Sequence, residues 1–496
     1  MSIFEKPRTY IDSRLQALTM KKILAISALA VTILMLAVPL GIGPVFSDFN
    51  YKPNLTYVQL APDTTFPQGL PLCKSTSLGN IVCYSPSFIK KAYEFPSTAT
   101  FDGTGQTIVI VDAFGSPTIV NDLALFDARF GIPAPPSFTI FCGNSPTPLD
   151  TSTCPVVNIN VNPKHDEFGW TIETSLDVQY AHAMAPGANI VLDVASTSSG
   201  NAINDAETAA IAAYPGAIFS QSFGIPEIFL TGNGNPGQVT QAQQNYANGV
   251  AKGDTFFASA GDTGADFGFG IAMSNFPGSD LHNTAVTGTQ GLPYNATGTL
   301  MPCPTSTPFS CTSGLSSYHG PCVLGRTTPP NCVPDGYGGE QVWNEPSFGA
   351  ATGGAPSLLF GVPSYQSGLG LTARGPDVAY NAAIDGGVLV QYGGFGFPVL
   401  FIVGGTSAGS PQWAGIAALA NQARAMASKG PIGDLNPVLY AIFHSSRYAT
   451  DFHDITAGND TLVGSSVGFS AGARYDVASG IGSPIVDHLI VDIAAA

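Results

Sequence analysis

Residues 106–112 read Gln-Thr-Ile-Val-Ile-Val-Asp. Ile108 to Val111 are four β-branched residues in a row, with no polar face to turn toward water. Such a run reads as a strand buried on both sides. Strands of that kind belong to parallel sheets covered by helices on both faces. Short apolar runs recur at 188–194, 217–220 and 255–259, and a further one, 399–403, precedes the last long helix. Helical stretches lie among them at about 166–184, 202–213, 236–252 and 407–428. Strand alternating with helix predicts an α/β fold with a central, mostly parallel sheet and helices on both faces.

Composition limits what such a fold can do. The 496 residues include 18 basic and 34 acidic side chains, a formal net charge of −16. Charged residues make up 10% of the chain, against roughly 25% in an average soluble protein. Nucleic-acid binding needs clustered Lys and Arg, so no nucleic-acid partner is expected. A hydrophobic content of 44% excludes intrinsic disorder. A surface of Ser, Thr, Asn, Gln and Gly suits acid, because few ion pairs are lost when carboxylates protonate.

One long apolar run spans Ile23 to about Phe46, preceded by Lys6, Arg8, Arg14, Lys21 and Lys22. The positive-inside rule leaves residues 1–22 cytoplasmic and exports everything after about 47. The uninterrupted part, Ile23–Val38, suits a signal peptide. Extended to Phe46, the run is long enough for a transmembrane anchor. Both readings of 23–46 stay open, so the protein is expected outside the cell, anchored at the surface or secreted. Residues 47–77 are rich in Pro and Thr and read as a stalk. The body follows over 78–496, with an inserted Cys-rich loop at 290–337 and a compact C-terminal region at 430–496. Eight cysteines fall into close pairs, Cys73–Cys83, Cys142–Cys154, Cys303–Cys311 and Cys322–Cys332. They are expected to staple loops in an oxidising setting. Sequons at Asn54, Asn295 and Asn459 permit glycosylation.

Three constellations carry chemistry. The first is Gly404-Gly-Thr-Ser407-Ala-Gly-Ser-Pro411, where a strand runs through a Gly pair into a helix. Ser407 there is a candidate nucleophile with backbone N–H groups nearby; taken alone it is equally read as a helix cap. The second is Glu173-Thr-Ser-Leu-Asp177. Four apart on a helix, the two carboxylates share a face and, if coupled, split their titrations; alone, such a pair reads as a solvated helix face. The third is Ser259-Ala-Gly-Asp262, an acid just past a buried strand. A protonated carboxyl there can donate to an oxyanion, although a turn-forming Asp is common.

Taken together and in this order, the three motifs resemble the sedolisin family of serine-carboxyl peptidases. Ala185-Pro-Gly-Ala188, Ser222-Phe-Gly224, Val342-Trp-Asn344, Arg374-Gly-Pro-Asp-Val378 and Leu435-Asn-Pro437 support the likeness, which covers about 80–486. It implies a subtilisin-like fold and an exported, acid-acting endopeptidase with protein or peptide substrates. It also implies roles: Ser407 as nucleophile, Glu173 as general base, Asp177 as its orienter and Asp262 as the oxyanion-hole acid. Asp454, Ile455, Gly472, Arg474 and Asp476 match the family's pattern for one structural Ca²⁺, through two carboxylates and three backbone carbonyls. The family usually has Gly where this chain has Arg474. The neighbouring Asp451 and Asp460 are expected at the surface.

The likeness also implies a long prodomain, and none fits before the body. A chain starting near Tyr84 is therefore expected to fold and act without processing. Two rivals are a Ser-His-Asp subtilase using Asp112 and His182, and an inactive surface protein on the same fold. The absence of a His-Gly-Thr motif speaks against the first, and the four filled catalytic positions against the second.

Overall fold

The computed structural model describes residues 49–60, 72–78, 80–142, 166–231, 236–291, 310–312, 317–319 and 337–496. The strands that build it are β1 (Lys52–Pro53), β2 (Thr56–Gln59), β3 (Leu72–Lys74), β4 (Asn80–Tyr84), β5 (Thr107–Ala113), β6 (Phe138–Phe141), β7 (Asn189–Ala195) and β8 (Ile218–Gln221). They continue with β9 (Phe223–Pro226), β10 (Thr255–Ser259), β11 (Asn275–Phe276), β12 (Asn283–Gly291), β13 (Glu340–Val342), β14 (Val378–Asn381), β15 (Gly387–Tyr392) and β16 (Val399–Gly404). The helices used below are α1 (Ile119–Phe130), α2 (Asp166–Met184), α3 (Gly200–Ala213), α4 (Pro236–Ala251), α5 (Gly409–Met426) and α6 (Val486–Ala495).

The largest sheet has eight strands. Seven run parallel, in the spatial order β6-β7-β5-β8-β10-β12-β14, and β13 lies antiparallel beside β12. The stretch 106–112 sits at its centre as β5. Alternate side chains of a strand point to opposite faces. Ile108 and Ile110 accordingly join one core with Leu176 and Tyr180 of α2, Ala417 of α5 and Leu489 of α6. Val109 and Val111 join a second core with Ile203 of α3 and Tyr246 of α4. Both faces are dry, which is why no polar residue interrupts the run.

A second sheet of five strands, ordered β2-β16-β15-β4-β3, leans against this body. β2 and β15 flank β16 antiparallel, and β4 runs parallel to β15. The Cys73–Cys83 disulfide ties β3 to β4. Residues 56–84 thus supply three of the five strands. A chain cut to start near Tyr84, expected above to fold alone, would lack nearly all of these three strands. Those short strands carry no long apolar run, so the sequence hid them. A third, small sheet is ordered β1-β9-β11.

Cys142 is disulfide-bonded. Its expected partner Cys154, and Cys303, Cys322 and Cys332, lie outside the described residues, as do the Cys311 side chain, the sequon at Asn295, the segment 1–48 and most of the 290–337 loop. No described helix is long and apolar enough to cross a membrane, and the 23–46 segment is not among the residues searched.

Candidate active site

The chemistry gathers where strands of the large sheet end at their carboxyl edges, the usual place for a ligand crevice in such sheets. α2 is buried on nearly every side, although polar residues such as Glu173, Asp177, Gln179 and His182 lie along it. Glu173 and Asp177, one turn apart on it, are completely shielded from water. The solvated-face reading of this pair is therefore excluded.

Ser407 sits in a tight turn between β16 and α5. Its Oγ lies 3.0 Å from Glu173 Oε2 and 3.1 Å from the carbonyl oxygen of Ser222. The Ser222 hydroxyl donates to Asp177 Oδ1 at 2.8 Å. Glu173 Oε1 and Asp177 Oδ2 have no other partner in the pocket, and a proton shared between the two carboxyls would satisfy both. Asp112, at the end of β5, is a third buried carboxyl beside Asp177. Burial pushes Asp177 up to about 8, against hydrogen bonds from Ser222 and Glu173 that favour its charge. Glu173 is raised by burial and then by the charges of Asp177 and Asp112. Asp112 is raised by burial and then by Asp177. Three carboxyls in one dry pocket hold fewer than three charges.

Asp262 approaches from the other side, on the turn after β10. Its Oδ1 accepts from both the backbone N–H and the hydroxyl of Thr406, each at 2.8 Å. The Thr406 hydroxyl oxygen in turn accepts from the Gly261 N–H at 3.0 Å. Asp262 Oδ2 has no hydrogen-bond partner and faces a cleft of about 540 Å³. Burial pushes Asp262 up to about 7, opposed by the Thr406 bonds. Below that pH, Asp262 is a neutral acid with a free O–H.

The four residues expected to act together are thus neighbours. Sequence reading missed the clamp by Thr406 and the bridge by Ser222, although both stand inside quoted motifs. It also missed Asn54, whose carbonyl oxygen accepts from the Ser407 N–H at 3.2 Å. Nothing but a sequon drew attention to Asn54. The histidine rival fails on geometry. His182 Nε2 lies 2.9 Å from the carbonyl of Pro133 and 3.3 Å from Asp127 of α1. No described histidine is hydrogen-bonded to Ser407 or Asp112.

The C-terminal loop brings the expected calcium ligands close together. The Arg474 N–H donates to both oxygens of Asp454, and the Tyr448 hydroxyl to one of them. Asp476 accepts from the N–H groups of Gly472, Ala478 and Ser479 and from the Ser479 hydroxyl. Arg474 adopts φ of +68°, a conformation that favours Gly. Its guanidinium turns away onto the rings of Phe443 and Tyr448 and donates to the Phe443 carbonyl. The donor set is of hard oxygens and fits Ca²⁺ if Asp476 exchanges the Ser479 hydroxyl for the ion. Among the described residues no group of three acidic, His or Cys side chains is placed to hold a metal ion, so carbonyls would have to supply the remaining ligands. Asp451 and Asp460, expected at the surface, are both fully buried. Asp460 faces inward because its carboxyl caps the Phe469 N–H, and burial pushes it up to about 8.

No protein-family model matches the chain. It is 29% identical to kumamolisin of Bacillus sp. (strain MN-32) over 82% of its own length, and 26% identical to tripeptidyl-peptidase 1 of Dictyostelium discoideum over the same share. It spans 63% and 58% of the lengths of these two relatives. Among solved structures it resembles Pseudomonas sedolisin, a serine-carboxyl proteinase, in a complex with two molecules of pseudo-iodotyrostatin. The TM-score is 0.63 at 23% identity, over 84% of this chain and 99% of that one. The fold is therefore the subtilisin-like one of that enzyme. With the motifs in order on that fold, and with these relatives, the chain resembles the sedolisin family of serine-carboxyl peptidases.

Proposed function

We propose that this protein is an exported endopeptidase that hydrolyses peptide bonds in acid through Ser407. The observation that carries the reading is the 3.0 Å contact between Ser407 Oγ and Glu173 Oε2 in a pocket closed to water. As Ser407 Oγ attacks a substrate carbonyl, ionised Glu173, oriented by Asp177, accepts its proton and becomes neutral, and the negative charge passes to the carbonyl oxygen. The carbonyl oxygen becomes negative where the Ser407 N–H and the neutral Asp262 O–H can both donate to it. Glu173 then returns the proton to the leaving amine, and water repeats the sequence on the acyl-enzyme. Acid action follows from Asp262, which donates only while protonated.

Endopeptidase action is supported by the segment from Phe49 to Thr56, which runs along the cleft on both sides of Asn54. A site that seats chain in both directions is not closed around a free amino terminus. Export is supported by the Cys73–Cys83 disulfide. Whether the protein is anchored or secreted rests on 23–46. We further propose that Asp454, Asp476 and the carbonyls of Ile455, Gly472 and Arg474 hold one Ca²⁺. It supplies cohesion to the C-terminal loop and no chemistry at Ser407. The test of the main reading is turnover of a mixed peptide library at pH 5 by the wild type and by Ser407→Ala. Equal rates would refute it.

A further inference from the structure

Asp262 stands on a turn that is gripped from two sides. On one side lie residues 350–354. The Ala351 N–H donates to the Asp262 carbonyl at 3.1 Å, the Gly264 N–H to the Ala351 carbonyl at 2.9 Å, and the Gly353 N–H to the Gly261 carbonyl at 2.7 Å. On the other side lies the loop 459–470. It is closed on itself by the Asn459–Ser470 bridge and by Asp460, whose carboxyl takes the Phe469 N–H. This loop touches the turn at two points. A β-carbon built on Gly264 would stand 2.8 Å from Leu462 Cβ and 2.9 Å from the Asp460 carbonyl oxygen. The Ser465 hydroxyl donates to Asp266 Oδ2 at 2.6 Å.

The second contact reaches the cleft. Ser465 Oγ accepts from the Val467 N–H at 2.9 Å, which leaves its one proton for Asp266. Asp266 is 1% exposed and also accepts from the N–H groups of Gly268 and Gly270, at 3.0 and 3.1 Å. These bonds hold left-handed backbone at Phe267, Gly268 and Gly270, with φ of +49°, +77° and +72°. Such backbone is costly for a Phe and persists only where its surroundings enforce it. The bend carries the Phe267 ring back over Gly261, where a β-carbon would lie 2.7 Å from the ring. Phe267 lines the cleft together with Asp262. Ser465 thus backs Asp266, Asp266 backs Phe267, and Phe267 covers the residue that precedes the oxyanion acid.

We propose that Ser465 is a positioning residue for Asp262, acting through Asp266 and the Phe267 ring. The proposal rests on the serine-carboxyl reading above. The ring shields one side of the Asp262 turn from water, and exclusion of water is what keeps that acid neutral. If the ring moves, water reaches Asp262 and its carboxyl ionises at lower pH. The other titratable groups around the turn are Asp266 itself, Glu173 on α2, Asp460 on the bracing loop and Lys52 across the cleft. Replacing Ser465 by Ala adds or removes no charge among them.

The test is the pH profile of kcat and KM on the full chain, with one peptide that the wild type cuts. Ser465→Ala should bring the alkaline limb down by about one pH unit as part of the burial shift is lost. It should lower kcat at pH 5 by about tenfold, a fraction of the loss from removing an oxyanion donor, with KM nearly unchanged. Ser465→Thr keeps the hydroxyl and should keep the limb. Val463→Ser, at a 58% exposed position of the same loop, should leave the profile as it is. Phe267→Leu removes the ring itself and should move the limb in the same direction as Ser465→Ala. An unmoved limb in Phe267→Leu defeats the proposal even if Ser465→Ala does not fold. If Asp262→Asn shifts the alkaline limb while Ser465→Ala leaves it in place, this proposal is overturned and the proposed function stands. A limb that Asp262→Asn does not move would overturn the neutral-acid reading, and this proposal with it.

Discussion

Gly405 leaves room for the Asp262 carboxyl. Its φ is +119°, and a β-carbon there would press on Asp262 Oδ2 at 2.4 Å. Gly405→Ala should therefore displace the acid without removing it. Loss of one oxyanion donor costs roughly 10²–10³ in kcat, and Asp262→Ala should reach that range. Gly405→Ala should lose at least about tenfold, with kcat falling more than KM rises. Steady-state kinetics at pH 5 on both variants checks this, with melting temperatures confirming that each is folded.

Replacing Ser407 by Ala removes one oxygen from a tight site. Turnover should fall by at least about 10³-fold, in line with loss of a nucleophile in other serine peptidases. The melting temperature should not fall. Activity within tenfold of wild type would reassign the nucleophile.

Unperturbed carboxyls would put the optimum between about pH 2 and 5. Burial moves the relevant groups upward. Asp262 must be protonated to donate, so activity should be lost as pH rises through about 7. Glu173 must be ionised to accept a proton, and its raised pKa moves the acid limb upward as well. The profile should be a bell in weak acid. Asp262→Asn keeps a donor at every pH, so its alkaline limb should shift upward. A wild-type optimum at pH 8 would sink the neutral-acid role.

Stability should follow pH in the same sense. Asp262 is pushed up to about 7, and Glu207 and Asp460 to about 8, in each case chiefly by burial. In the unfolded chain these groups ionise near 4. Above that pH the unfolded state releases protons that the folded state keeps, so the stabilisation is full below about 4 and is lost as pH rises through 7 to 8. Thermal melting should be several degrees higher at pH 4.5 than at pH 8. A curve that rises toward pH 8 would contradict the burial of these acids.

Chelation with EGTA at pH 6 should lower the melting temperature, because an ion bound only by the native state stabilises it by mass action, by about 2.7 kcal/mol at a hundredfold excess over Kd. In Asp454→Asn the chelator should have no effect. An unchanged wild-type melting temperature would mean that Asp476 keeps its Ser479 bond and no ion binds.

Much of this was legible in the sequence. The strands at 107–113, 189–195, 218–221 and 255–259 and the helix at 166–184 match their apolar patterns to within a residue or two. In each, a long one-sided or unbroken pattern has only one dry arrangement. Ser407, Glu173, Asp177 and Asp262 were legible as a set because three separated motifs fell in one order. What stayed hidden depends on tertiary contact. β1 and β2 are two and four residues long, too short for any period to emerge. The burial of Asp451 and Asp460 is decided by which backbone N–H groups need an acceptor. Asp112 was visible only as a rival's residue, because nothing in its own strand shows that Asp177 lies beside it.

The five-stranded sheet has a consequence for where the chain can be shortened. A fragment that begins at Tyr84 keeps β15 and β16 as a bare hairpin. The side of Val399–Gly404 that β2 covers would present a row of unanswered N–H and C=O groups, next to the turn that carries Ser407. Open edges of that kind recruit strands from other molecules. Such a fragment should associate edge to edge, and it lacks the Cys73–Cys83 bridge altogether.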